Sequence, residues 1–272
     1  MYMGIDVGGT KTLVAVLDET GQLGQVVKFP TADNYQQFLE DLRAQAATLE
    51  TKKFEAGAAG VAGIIDRANN VLVSCGNLPW RNETIQADLE AIFGCSFVIE
   101  NDAKAGGLAE AMNVIDDFKH VLFVTIGTGI GITYIADGVI DTAMGDRGGR
   151  GMMIEYQDKV QSWEDFASGT AIVKRYGKRA SEITDPAIWA EISQAFSLGI
   201  LELVGLVPAD VVIIGGGVGS HFDRFGTLLE AELKQHQTDF FKIPPLRPAA
   251  HPEHAVVYGC YYLIKQSHGK TA

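Results

Sequence analysis

Apolar and polar positions along the chain fall into two periods, and the elements follow from them. Residues 2–7, 12–18 and 24–29 are apolar runs separated by Gly8-Gly9 and by Asp18-Glu19-Thr20-Gly21, which reads as three strands joined by turns. A helical face follows, with Phe38, Leu39, Leu42, Ala46 and Leu49 on one side, Asp33 as the expected N-cap and an end near Glu50. Residues 56–63 form a strand of small side chains, a composition that invites close approach by a ligand or another backbone. Asn69-Asn70 marks a turn, Cys75 to Trp80 a loop, and 83–93 a helix. The strand 95–99 runs into Glu100-Asn101-Asp102, where a helix begins with Ala103, Ala105, Leu108, Ala109 and Met112 as its apolar positions.

The opening pattern then recurs. Residues 120–126 form a strand, Gly127-Thr128-Gly129-Ile130-Gly131 a glycine turn, 132–136 a second strand, Asp137-Gly138 a tight turn and 139–140 a third strand. An internal repeat of a three-strand meander implies two similar domains, with a nucleotide lying between them. Residues 141–162 show no clear period, and Gly145 to Gly151 reads as a flexible, mixed-charge loop. Trp163 onward leads into a helix ending near Lys178, and a longer helix spans 186–207. The strand 209–214 is closed by Gly215-Gly216-Gly217, and the next helix carries Phe222, Phe225, Leu228, Leu229 and Leu233. Pro244 to Pro248 is an extended connector, and 254–266 the final helix.

The glycine turns carry the candidate chemistry. Gly8 and Gly9 put no Cβ in the way of a ligand, and successive N–H groups in such a turn form an anion site. Thr10 and Lys11 add side-chain donors, and Asp6 stands where an acid could order a hydrated metal ion. Gly-Gly is also an ordinary hairpin signal, so this stretch alone decides nothing.

Composition narrows the classes. The 272 residues suffice for one large domain or two modest ones, and 47% hydrophobic residues supply an ample core. A net charge of −12 argues against a nucleic-acid surface. Cys75, Cys95 and Cys260 are widely spaced, which fits neither a disulfide framework nor a cysteine-rich zinc site and suits a reducing cytoplasm. No leader pattern and no uninterrupted apolar run of membrane-spanning length stands out. Gly215-x-Gly217-x-Gly219 lacks the dinucleotide-binding spacing, which sets aside a Rossmann dehydrogenase.

Six stretches, in order, resemble the ROK family of bacterial sugar kinases and repressors: 4–11, 76–79, 100–103, 127–131, 168–171 and 213–217. The resemblance implies an α/β fold of two actin-like ATPase (ribonuclease H-like) domains with a nucleotide and sugar cleft between them. The expected lobes are 1–115 with 252–272, and 116–251, with hinges near 112–120 and 248–254. It implies a glucokinase-like enzyme that uses ATP and Mg²⁺ to phosphorylate a primary hydroxyl of an aldohexose, and it suggests a homodimer. Asp102 corresponds to the catalytic base, though an acid there also suits a helix N-cap. Asn101 and Asn77 would hold sugar hydroxyls, and Glu164 aligns with a sugar-binding carboxylate. For Asn77 a turn role before Pro79, and for Glu164 a solvated helix start, are the plainer readings. Gly8, Gly9, Gly127, Thr128 and Gly129 would clasp phosphates, Gly215, Gly216 and Gly217 would admit the adenosine, and Asp6 would orient Mg²⁺ through water.

The chain departs from the family at one place. The usual Glu-x-Gly-His motif, a source of sugar and zinc ligands, should fall near 145–153, where Asp146 takes the glutamate's place and no histidine occurs. Residues 155–162 hold no cysteine or histidine, so no structural zinc is expected. The repressors' winged helix is also missing. Two alternatives stay open: a polyphosphate-dependent glucokinase, and a sugar- or nucleotide-binding regulator with little activity.

Overall fold

The computed structural model describes residues 1–269. The chain forms two compact units, Met1–Ala109 with the segment from His254 onward, and Glu110–Glu253.

In the first unit, β1 (Tyr2–Val7), β2 (Lys11–Leu17) and β3 (Leu23–Pro30) make an antiparallel meander. α1 (Tyr35–Ala46) leads to β4 (Ala56–Val61), which pairs parallel with β1. β5 (Gly63–Asp66), β6 (Val71–Cys75) and β7 (Arg81–Glu83) form a separate small sheet. α2 (Ile85–Phe93) precedes β8 (Ser96–Asn101), parallel to β4, and α3 (Asp102–Asn113) starts where β8 stops. The main sheet has the order β3-β2-β1-β4-β8. Its core joins Met3, Ile5, Val14 and Val16 to Phe38, Leu42 and Trp80.

The second unit repeats that plan. β9 (His120–Ile126), β10 (Ile130–Ala136) and β11 (Val139–Ile140) form the meander. A one-turn 3₁₀ segment (Gly148–Gly151) precedes the hairpin of β12 (Met153–Tyr156) and β13 (Lys159–Ser162). Next come α4 (Trp163–Ala167), α5 (Gly169–Tyr176), a short 3₁₀ turn at Ala180–Glu182 and α6 (Pro186–Leu206). β14 (Val211–Gly215), α7 (Gly216–Gly219), α8 (Phe222–Lys234) and β15 (Leu246–Pro248) complete it, with sheet order β11-β10-β9-β14-β15. The last helix, α9 (Ala255–Gly269), packs on β1 and β4 of the first unit.

The small residues of β4 have a structural cause. Val256 of α9 lies against Gly60, Phe97 of β8 lies against Gly57, and Gly259 of α9 sits on the Ala105 carbonyl. Any larger side chain on these facing positions would push helix and sheet apart. The neighbours that small residues announce here are protein.

Several local expectations are corrected. Asn34, not Asp33, caps α1, because its side chain accepts the Gln37 N–H at 3.0 Å. That helix stops at Ala46, and Leu49 reaches the core from the turn beyond it. The run 56–63 is two strands in different sheets, divided at Ala62. The helix expected through Lys178 is split at Ser168, which is extended (φ −76°, ψ 167°) and accepts the Ala171 N–H to start α5. Residues 145–151 are not a loose loop: Gly149 is buried against Ile130. α6, the helix expected over 186–207, is by length and composition apolar enough to cross a membrane, although Glu191 and Glu202 interrupt its apolar run. Half of it is buried, and Trp189, Ile192, Phe196 and Ile200 belong to the unit's core.

Candidate functional site

In the first unit, Gly8 and Gly9 join β1 to β2, and the turn is braced from β3's end. Thr31 donates its hydroxyl to the Gly8 carbonyl at 2.8 Å and its N–H to the Thr10 carbonyl at 3.1 Å. The buried Thr12 hydroxyl lies 2.9 Å from that of Thr31. Asn77, exposed in the loop after β6, packs directly on Gly9. Thr10 and Lys11 are exposed at the turn.

Asp6 ends the inner part of β1, one residue before the turn's entry strand closes. Burial pushes its carboxyl up to about 7, and the negative charge of Asp102 adds to the rise; Lys11 and Lys28 oppose it. Asp6 and Asp102 therefore sense one another's charge. Burial also raises the Cys75 thiol, again with a contribution from Asp102, while the N–H groups of Asn77 and Leu78 pull it down.

Asp102 is the first residue of α3, and its Oδ1 accepts the Ala103 N–H at 2.9 Å. The residue that caps the helix is Asn101, whose Oδ1 accepts the Lys104 N–H at 3.2 Å. Asn101 is buried, and its Nδ2 donates to the Gly63 carbonyl at 2.9 Å. One N–H and one lone pair of its amide are left by these two bonds. Beneath them, Glu100 is buried and held by Arg67: Nε reaches Oε2 at 3.0 Å, a second nitrogen pairs with Oε1, and the Asn101 N–H reaches that same Oε1 at 2.6 Å. The strand end that presents Asp102 is thus fixed by an ion pair and a cap.

In the second unit, three glycine segments converge. Gly127 donates to the Gly129 carbonyl at 2.9 Å, Gly169 donates to the Gly127 carbonyl at 2.7 Å, and Thr170 Oγ1 donates to the Thr128 carbonyl at 2.8 Å. Gly216 has φ +82° and faces the Ile126 carbonyl and the Thr125 hydroxyl, a place where a Cβ would collide with backbone. Gly217 stands in the open: a Cβ placed there would meet nothing within 4 Å. Gly215 ends β14 beside Phe123.

Glu164 leans over this turn. Its Oε2 accepts the Ile130 N–H at 2.9 Å, its Oε1 pairs with Arg150 Nε, and a side chain at Gly129 would overlap its carboxylate. Asp146 lies on the same 145–151 segment as Arg150, half-buried. Among the described residues, no group of three or more His, Cys, Asp or Glu is placed to hold a metal ion.

Sequence reading missed Arg67, Arg150 and Thr31, none of which has a motif of its own; it marked 168–171 but not that Gly169 and Thr170 tie to the glycine turn. The structure gathers Asp6, Gly8, Gly9, Asn77, Asn101 and Asp102 in the first unit, and Gly127–Gly129, Asp146, Glu164 and Gly215–Gly217 in the second.

A glucokinase from Streptomyces coelicolor is 28% identical over 199 residues, covering 68% of this chain and 61% of its own length, so the match spans less than two thirds of that relative. An N-acetyl-D-glucosamine kinase from Vibrio parahaemolyticus is 26% identical over 303 residues, covering 97% of this chain and 99% of that one. Among solved structures, a ROK family glucokinase from Streptomyces griseus in complex with glucose and AMPPNP superposes with a TM-score of 0.83 at 22% identity, covering 97% of this chain and 99% of that chain. The fold is the actin-like ATPase fold of such structures. The ROK family profile matches residues 2–267, and with the repeated meander and its glycine turns it shows that the chain belongs to the ROK family.

Proposed function

We propose that the protein is an ATP-dependent sugar kinase of glucokinase type, acting on a primary hydroxyl of an aldohexose. The observation that carries this reading is Asp102, an acid at a strand end fixed by the Asn101 cap and the Arg67–Glu100 pair. Its carboxylate takes the proton of the acceptor hydroxyl as that oxygen bonds to the terminal phosphorus; the bond from phosphorus to the bridging oxygen breaks, and ADP leaves with the electron pair. In the first unit Asn77 and Asn101 orient the acceptor, and in the second Glu164 and Asp146 bind it. The turns Gly8-Gly9 and Gly127-Thr128-Gly129 would clasp the donor phosphates through backbone N–H groups other than those of Gly8 and Gly127, which bond the Lys11 and Gly129 carbonyls, with Thr10 and Lys11 adding donors. Gly217 leaves room for the adenosine, while Gly215 and Gly216 shape the turn beside it.

Asp6 is the residue that would hold a hydrated divalent cation through water: burial, with the charge of Asp102 adding to it, raises its carboxyl, and added positive charge would relieve that rise. Mg²⁺ bound there would neutralise charge on the transferred phosphoryl group. A coupled assay with Mg²⁺ tests the reading, using ATP or polyphosphate as donor and glucose, mannose, fructose, N-acetylglucosamine and N-acetylmannosamine as acceptors. ATP-dependent turnover of an aldohexose is the expected result. Absence of turnover on the whole panel would sink the neutral-hexose kinase.

A further inference from the structure

Arg150 has no part in the roles assigned above, yet it is the cation built onto the acceptor side of the second unit. It belongs to the 3₁₀ turn Gly148–Gly151, which packs on Ile130 at the edge of the glycine turn. Glu164 grips its Nε, and Glu164 is itself fixed by the Ile130 N–H. The Glu164 side chain is only 15% exposed and the Arg150 side chain 53% exposed. The carboxylate is therefore turned inward and neutralised, and what faces outward is guanidinium. Among the described residues, the outer nitrogens of Arg150 have no protein partner.

A neutral sugar asks for acceptors of its hydroxyl protons. The Glu164 oxygens keep spare lone pairs, but their charge is already shared with Arg150 and a backbone N–H. The unused groups are instead the N–H donors of a guanidinium edge, whose planar fork matches a carboxylate or a phosphate ester. We propose that Arg150 is a specificity-determining residue that reads an anionic group on the sugar acceptor. This rests on the reading of Glu164 and the 145–151 segment as the acceptor side. The anion belongs at the end of the sugar remote from the reacting hydroxyl, because a negative charge beside that hydroxyl would repel the incoming phosphoryl group.

Two commercially simple probes keep a primary hydroxyl and carry the anion at the far end: D-gluconate, a carboxylate, and glucose 1-phosphate, a phosphate ester. Calorimetric titration of the full chain with each, and with glucose, reads binding without requiring turnover. At least one anionic sugar is expected to bind about tenfold or more tighter than glucose, the scale of one charge-assisted contact. Arg150→Gln should erase that preference, Arg150→Lys should keep part of it, and Arg147→Gln, a change at the exposed neighbour, should leave it intact. Thermal melting of each variant checks folding, and the charge-conserving lysine variant keeps the test valid if the glutamine variant does not fold.

Glucose binding as tightly as both anionic sugars overturns the proposal, as does a preference that survives Arg150→Gln. So does an Arg150→Gln effect confined to a non-hydrolysable ATP analogue, which would make Arg150 a donor contact. ATP-dependent turnover of glucose without any anionic preference would sink this inference and leave the kinase standing. Arg150-dependent binding of gluconate or glucose 1-phosphate with no phosphoryl transfer to any acceptor would sink the kinase and leave the anion site.

Discussion

At the first glycine turn the charges that matter are two carboxylates, Asp6 and Asp102, opposed by Lys11 and Lys28. At the second, Glu164 is matched by Arg150 and a backbone N–H. The strands around both turns pair in the same order and sense. One backbone plan has thus received two electrostatic treatments: in the first unit an acid, Asp6, whose carboxyl is raised chiefly by burial, and in the second an ion pair at rest. A buried carboxyl holds its proton or draws a cation, whereas a satisfied pair holds geometry. On the proposed reading the general base, Asp102, lies in the first unit, and the Glu164–Arg150 pair that reads the acceptor lies in the second.

That division can be broken in three ways. The largest effect belongs to Asp102→Asn, which should lower kcat by about 10²–10⁴-fold while the sugar Kd stays within a few-fold. Glu164→Gln should chiefly raise the acceptor KM. Steady-state kinetics with calorimetry decides this, and equal kcat losses from both changes would end the asymmetry. Next come the two Arg–Glu pairs. Arg67 is 29% exposed and Glu100 8%, so Arg67→Ala strands a buried carboxylate and should cost about 2–4 kcal/mol of stability, below the range of a fully buried pair. Arg150→Ala, at a more exposed pair, should cost less than about 1 kcal/mol. Urea unfolding measures both.

The last test concerns pH. The Asp6 carboxyl is raised from its ordinary 3.8 to about 7 in the folded chain, so the native state binds that proton more tightly than the unfolded chain does. Stability from this group is full below about pH 4 and is lost as pH rises toward 7. Asp6→Asn, melted beside the wild type in a chelator, should therefore show a shallower fall in Tm across that window. Identical slopes would mean that the first turn is not electrostatically strained.

Both meanders were legible because their signals are local: apolar strands, then glycine where the chain reverses. The hairpin 153–162 was not, and the reason is specific. Its turn residues Gln157 and Asp158 both adopt positive φ (53° and 61°), a conformation usually announced by Asn-Gly. β7 is equally silent, since Arg81-Asn82-Glu83 is polar throughout and Asn82 has φ +54°. Within the site, Asp102 could be singled out from its position after a strand. The Arg150–Glu164 pair could not, because two charged residues separated by fourteen positions and a hairpin carry no periodicity. Asn101 shows the opposite case: its place in the motif was legible, but not that both ends of its amide already serve the backbone.

α9 gives the fold an order of assembly. Its Val256, Gly259 and Cys260 complete the face of β1, β4 and α3; the Cys260 thiol donates to the Ile5 carbonyl, and burial pushes it up to about 12, with the charge of Asp6 adding a smaller part. The ribosome makes those strands first, then the whole second unit, and only then this helix. During synthesis the sheet that bears Asp6 waits with an uncovered apolar face, while the unit encoded in between can close on its own. The nascent chain is therefore most exposed to chaperones and to aggregation through its earliest strands.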